Sequence, residues 1–310
     1  MNKNQIIQQE LQKIDQIRVA NEMTTENAKL SARQIPEYRV LDDEIRKLTL
    51  ELGKLPTSSP EVSKIAKKIE QLNTKAIDVL KLNNFYIDVL KFLPNCTNCK
   101  DTGYIGNKMC DCLIKRVRDA LITQSSINNV LQFDFSHCDN KILEANPQLS
   151  KIYKFAHKYC NEFPNLERKN LLLFGEVGTG KTFLLECIAN ELLRKLHYVV
   201  FTTAYEVCST MVKAYSASYS DRGTILSPLF ESELLIIDDL GTEPLFHDST
   251  LTNLFTLINE RQRNNLATIV STNLDPEQIG ERYGDRLRSR LYNARTTTCI
   301  RFEGKDLRAK

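Results

Sequence analysis

Eight residues, Gly175-Glu176-Val177-Gly178-Thr179-Gly180-Lys181-Thr182, leave this chain few folds to choose from. They fit G-x-x-x-x-G-K-[ST] at every fixed position, a pattern that works as the turn between a buried strand and the helix after it. Both flanks read that way: residues 171–174 are an apolar run, and residues 183–193 carry a helical pattern. Glycines let backbone N–H groups wrap a β-phosphate while the helix directs its positive end at the same charge. Lys181 then reaches the β- and γ-phosphates and the Thr182 hydroxyl ligates Mg²⁺. These eight residues and the adjoining Phe183 form the expected ATP–Mg²⁺ site.

From Asn170 onward, apolar runs at 171–174, 198–202, 234–237, 268–271 and 298–302 alternate with helical patterns. Alternation of this kind predicts an α/β fold, a P-loop core whose parallel sheet is covered by helices on both faces. The run Leu234-Leu235-Ile236-Ile237 ends in Asp238-Asp239. This is a Walker B pattern, in which Asp238 holds Mg²⁺ and Asp239 orients or activates the attacking water. The run at 268–271 ends in Ser271-Thr272-Asn273, which sets Asn273 at a strand tip to meet the γ-phosphate or that water. Later, Glu281 to Leu291 gathers four arginines, with Arg286 and Arg290 four apart and so on one helical face. One reading is an arginine finger for a neighbour's ATP, with Arg290 as the finger and Arg286 as the alternative. The other is a solvated or DNA-facing basic helix.

The first 95 residues hold one glycine, Gly53, of the chain's eleven. Scarcity of glycine favours long helices. Leu41, Ile45, Leu48, Leu52 and Leu55 step by four and three, as do Val62, Ile65, Ile69, Leu72 and Ala76. Each series is one narrow stripe of coiled-coil type. Pro56 stops the first helix, and Ser59 can cap the second ahead of Pro60 and Glu61, which predicts an antiparallel hairpin. An earlier helix is expected over about 5–19, with Ile7, Leu11 and Ile14 at the same spacing. Stripes this narrow suit a partner-docking arm; a solvated spacer is the plainer alternative.

Cys96-x-x-Cys99 and Cys110-x-Cys112 bracket ten residues that include Gly103 and Gly106. Two close pairs across a short loop can set four thiolates around one tetrahedral Zn²⁺, which would hold so small a module folded. Free thiols are the alternative. His137 and Cys138 lie 25 residues further on and are left out of the metal set, while Cys160, Cys187, Cys208 and Cys299 read as small core residues. The expected organisation is a helical partner-binding region at 1–95, a zinc module at 96–112, a linker and lead-in at 113–149, and the ATPase domain at 150–310. An amphipathic helical stretch is expected from 113 to about 129.

Composition narrows the function further. No apolar run approaches the ~18 residues needed to cross a bilayer, and the polar, acid-containing start does not look like a leader. The chain therefore reads as cytoplasmic. A formal charge of +3 excludes binding nucleic acid by bulk charge alone, although the last thirty residues carry nine Lys/Arg against four Asp/Glu.

At these motifs the chain resembles the AAA+ ATPases of the DnaC/DnaI helicase-loader group. The resemblance rests on GEVGTGKT, LLIIDDLGTE with Glu243 and Pro244, Asn-Glu-Arg at 259–261, Ser-Thr-Asn at 271–273 and the closing Asp-Arg-Leu-Arg-Ser-Arg-Leu, over about 130–303. It implies a protein that binds ATP and Mg²⁺, self-associates, and delivers a DnaB-type replicative helicase to single-stranded DNA through its N-terminal region. It also implies sensor 1 at Asn273 and places 133–138 near the adenine. Many ATPases of this kind have Glu where Asp239 stands, so the shorter side chain implies slow hydrolysis. About twenty residues follow Arg290, too few for the helical lid common in AAA+ proteins, and no sensor 2 residue is assigned. Two other functions fit the same motifs: a transposition helper ATPase, and a zinc-dependent nucleic-acid adaptor that uses ATP structurally. A small-molecule kinase would need neither Asn273 nor the arginine-rich helix.

Overall fold

The glycine-poor start is helical, as its periodicities require. The computed structural model describes residues 3–56, 60–125, 132–244, 247–304 and 306–307, and in it α1 (Lys3–Ala32), α2 (Pro36–Leu52) and α3 (Pro60–Leu82) follow one another. The expected cap at Ser59 lies outside the described residues. α1 runs well past the expected 5–19. Neither Gly nor Pro interrupts it before Pro36, and Thr24 turns its hydroxyl back onto the Ala20 carbonyl at 2.8 Å, so the helix continues without an apolar stripe. α2 and α3 pack together, with the stripe residues half-buried or buried and Leu72, Ala76 and Leu80 most enclosed. Lys68 Nζ lies 2.8 Å from Glu44 Oε1, an ion pair between residues equidistant from Pro56, which makes the pair antiparallel.

By contact the chain divides into Leu11–Leu113 and a second unit of Met1–Glu10 with Ile114–Lys310. The first unit ends in a two-stranded ribbon, β1 (Tyr104–Ile105) against β2 (Lys108–Met109), which turns through Gly106 at φ +58°. Next comes α4 (Asp111–Ser125), which starts inside the cysteine cluster rather than after it, with Cys112 in its first turn. The end of the expected 113–129 stretch lies outside the described residues.

The second unit continues with α5 (Asn140–Ala145), α6 (Pro147–Glu162), β3 (Asn170–Gly175), α7 (Lys181–Arg194), β4 (Val199–Thr203), α8 (Ala204–Ser216), α9 (Tyr219–Glu231) and β5 (Leu234–Leu240). It closes with α10 (His247–Arg263), β6 (Ala267–Thr272), α11 (Pro276–Leu291) and β7 (Thr297–Phe302). The five strands form one parallel sheet in the order β4-β5-β6-β3-β7, with α7, α8 and α10 packed on it. The expected α/β core is present. β6 lies between the phosphate-loop strand and the Walker B strand: Leu171 registers with Ile269, and Ile269 with Ile236. Residues 171–173, 234–237 and 267–270 are buried, as strands covered on both faces should be. Cys299 departs from its expected core place. β7 is an edge strand, and Cys299 is exposed on it.

Arg261, in the Asn-Glu-Arg triplet, is wholly buried on α10. Its guanidinium donates to Thr268 Oγ1 (3.0 Å), Leu229 O (2.7 Å), Ser232 Oγ (3.1 Å), Ser232 O (3.0 Å) and Ala267 O (2.6 Å). Burial lowers its pKa to about 9. One side chain thus ties the end of α9 and the starts of β5 and β6 to α10. Arg261→Met would leave three buried carbonyls without their donor, and is expected to destabilise this unit by about 3–5 kcal/mol in urea unfolding. A loss below 1 kcal/mol would mean that water replaces the guanidinium.

Candidate nucleotide site

The phosphate loop lies between β3 and α7, and its backbone explains its glycines. Gly178 and Gly180 adopt φ +76° and +94°, where a side chain is strained. Thr179 Oγ1 donates to Glu176 O at 2.8 Å. Lys181, 6% exposed, reaches back along the loop and donates through Nζ to Gly175 O (2.9 Å) and Glu176 O (2.6 Å). Thr182 follows in the first turn of α7, with its side chain hydrogen-bonded to Asp238.

Asp238 is buried near the end of β5, and burial with Asp239 beside it holds its carboxyl above the usual carboxylate range. Ser271 Oγ on β6 donates to Asp238 Oδ1 and accepts from the Asp239 N–H at 3.0 Å. Asp239 takes φ +53° near the end of β5, where the register with β6 shifts between Ile237 and Leu240. The Asp238 carboxylate and Thr182 hydroxyl, together under the loop, are oxygen donors suited to Mg²⁺. Ser271 is the residue the sequence reading passed over. It is one of three buried hydroxyls on that strand, with Thr268 and Thr272, and nothing in the pattern singles it out.

A cavity of about 610 Å³ opens here, with Lys181, Thr182, Asp239 and Asn273 among its lining residues. Its other end is aromatic: Phe183 lies 5.1 Å from Phe133 and 6.4 Å from Tyr153, centroid to centroid. Flat apolar walls of this sort suit a base. The lead-in is pinned to α7, since Glu186 Oε2 accepts from Gln132 N (2.9 Å) and Phe133 N (3.1 Å), and Asp134 pairs with Arg194. Hydrogen bonds from Ser136 and Arg194 hold the Asp134 carboxyl well below its ordinary range. His137 and Cys138 line this cavity, and the cysteine cluster among the described residues does not include them.

Residues 303–304 and 306–307 lie back against the loop. Gly304 N donates to Glu176 Oε2 at 3.4 Å and Leu307 N to Gly178 O at 2.9 Å. The Asp306 carboxylate packs on Gly178 so closely that a Cβ there would stand 2.0 Å from Oδ1. Two unit charges 4 Å apart cost about 1 kcal/mol even in water, so Asp306→Ala is expected to tighten ATP binding roughly fivefold by calorimetry. Unchanged affinity would mean the tail moves aside without cost.

Arg286 and Arg290 are not in the cavity. Both are exposed on α11, beyond the interruption at Gly284 (φ +81°), and neither forms an ion pair among the described residues. Arg290 lies near Asn170 and Thr297, which begin β3 and β7, while the phosphate loop follows the other end of β3.

In the other unit the Sγ atoms of Cys96, Cys99, Cys110 and Cys112 all lie within 4.8 Å of one another. Cys96–Cys110 and Cys99–Cys112 are separated by 3.7 and 3.5 Å. Tetrahedral Zn²⁺ with ~2.3 Å bonds needs sulfurs roughly 3.8 Å apart, so the set fits. Asp101, itself buried, accepts from Asn95 N (2.8 Å) and Cys96 N (2.7 Å) and fixes the first knuckle. Cys99→Ser is expected to lower bound zinc from about one per chain to under a tenth by metal analysis, with faster hydrogen exchange over 95–112. Full zinc content in the variant would exclude this site.

A phosphate loop, a carboxylate pair two strands away and a polar strand tip between them define a P-loop ATPase core in which an extra strand separates the two sites. The model of the bacterial DnaA ATPase domain matches residues 134–297, and the chain belongs to that family. It is similar to the phage-like element PBSX protein XkdC of Bacillus subtilis (strain 168), 27% identical over 215 residues, 64% of this chain and 78% of that protein. It is also similar to the replicative helicase loader DnaC of Escherichia coli (strain K12), 26% identical over 49% of this chain and 61% of DnaC. The match thus spans less than two thirds of the loader's length. A crystal structure of DnaI aligns with a TM-score of 0.46 at 24% identity, over 61% of this chain and 98% of that one. The resemblance to the DnaC/DnaI group holds.

Proposed function

We propose that this chain is an ATP-dependent helicase loader, which delivers a DnaB-type replicative helicase to single-stranded DNA in the cytoplasm during DNA replication. The observation that carries the reading is the convergence of Lys181, Thr182, Asp238, Asp239 and Asn273 at one end of the sheet, with Arg286 and Arg290 away from it. Family membership and the similarity to DnaC support the loader part.

In this reading the loop amides and Lys181 bind the β- and γ-phosphates, and Phe133, Tyr153 and Phe183 hold the base. Thr182 and Asp238 would hold magnesium, which would supply neutralisation of charge on the phosphate oxygens. Asp239 orients the attacking water, and Asn273 contacts it or the γ-phosphate. Arg290, with Arg286 as the alternative, serves a neighbouring subunit's nucleotide, so hydrolysis is slow until subunits assemble. The N-terminal helices contact the helicase, and the cysteine module binds zinc.

Co-purification of the tagged full chain from cell extract, with and without ATP, tests the reading. ATP-sensitive recovery of the replicative helicase is the expected result. Recovery of a transposase with double-stranded DNA would favour the transposition-helper alternative, and ATP-indifferent recovery would overturn nucleotide control. The basic final segment also predicts weak binding to single strands that falls with salt, read by fluorescence anisotropy.

A further inference from the structure

Glu243 closes the sequence Asp-Asp-Leu-Gly-Thr-Glu, and the nucleotide chemistry above gives it nothing to do. It is nonetheless 1% exposed, among the most deeply buried carboxylates of the chain. Buried carboxylates persist where hydrogen bonds replace their water. Glu243 Oε2 accepts from Gly241 N at 3.0 Å, inside the turn that follows Asp239. Oε1 accepts from the Tyr283 hydroxyl, and the Glu243 main-chain carbonyl accepts from Arg282 Nη2 at 2.5 Å. Arg282 Nε is 3.8 Å from the same carboxylate, and its guanidinium lies over the Tyr283 ring, 5.6 Å from the centroid.

The two elements joined here are the ones the reaction would need to coordinate. On one side is the left-handed Asp239, whose turn is also held by Thr242 donating to Asp239 O through its N–H (3.3 Å) and hydroxyl (2.9 Å). On the other is α11 immediately before its interruption at Gly284, after which come Arg286 and Arg290. An outlier backbone conformation survives only where its surroundings over-determine it. We propose that Glu243 is a positioning residue whose one carboxylate spans the Asp239 turn and the arginine-bearing helix. Geometry at a subunit's own water-orienting position and presentation of its arginines to a neighbour then change together. This rests on the roles proposed above for Asp239 and Arg290, and adds the mechanical link between them.

Glu243→Gln keeps the shape but only one acceptor, and its amide nitrogen cannot accept, so the one side chain no longer accepts from both Gly241 N and the Tyr283 hydroxyl. In hydrogen exchange on the full chain without nucleotide, we expect exchange about tenfold faster in both 239–243 and 282–291, with the rest of the sheet unchanged. Because that readout needs no ATP chemistry, coupled loosening in a protein whose wild type shows no turnover would sink the reading of the site and leave the link standing. In ATPase assays the variant should keep KM within about twofold and lose at least tenfold in kcat. Mixed with wild type, Lys181→Ala/Glu243→Gln subunits should depress turnover further than Lys181→Ala subunits do. Loosening confined to 239–243, or a double variant no worse than Lys181→Ala, overturns the coupling. Tyr283→Phe removes only the hydroxyl donor and should act in the same direction, which keeps the test available if Glu243→Gln does not fold.

Discussion

Lys181→Ala should bind ATP at least about 100-fold more weakly, with no heat detectable in a calorimetric titration that resolves the wild type. The ammonium is buried and already held at the loop by the carbonyls of Gly175 and Glu176, so it meets an incoming phosphate without reorganising. An alanine leaves the loop amides in place and removes the one charge that reaches both outer phosphates. The fold should survive, because the loop's own bonds, Thr179 to Glu176 and Leu307 to Gly178, do not involve the lysine side chain. Binding within tenfold of wild type would show that the phosphates lie elsewhere.

Arg290→Ala should leave that affinity intact and abolish the extra hydrolysis that assembly brings, a loss of about 10³ in turnover. The reason is position. β3 has six residues, roughly 17 Å of strand, and Arg290 lies near its first residue while the phosphate loop follows its last. A side chain cannot cover that span within its own subunit. Turnover should therefore rise with protein concentration in the wild type and stay flat in the variant. Full turnover in both Arg290→Ala and Arg286→Ala would remove the arrangement between subunits.

The parts of the site legible in the sequence were those whose chemistry restricts the residue: glycines at positive φ, Lys181 beside phosphate, and a carboxylate at a strand end. Strand order was not legible. Residues 171–173, 234–237 and 267–270 are all buried and, Thr268 excepted, apolar, so nothing in their pattern says which neighbours which. The position of Ser271 against Asp238 follows from that order and was lost with it. Cys299 was assigned to the core for the same reason, since an edge strand carries no mark of being one. α1 exceeded its expected length because periodicity reports a buried stripe, whereas a solvated helix needs only an absence of breakers. The four cysteines were recognisable by spacing, but Asp101, which fixes their first knuckle through two backbone bonds, had no sequence signature.

The separation of loop and arginine along β3 gives the proposed assembly a polarity. Each contact joins a donor face to a different acceptor face, so subunits stack head to tail and either close into a ring or wind into an open spiral. A closed ring serves every nucleotide it holds. An open one leaves the last molecule in line with a triphosphate that nobody completes, a standing mark of where the row ends and where the next subunit can be added.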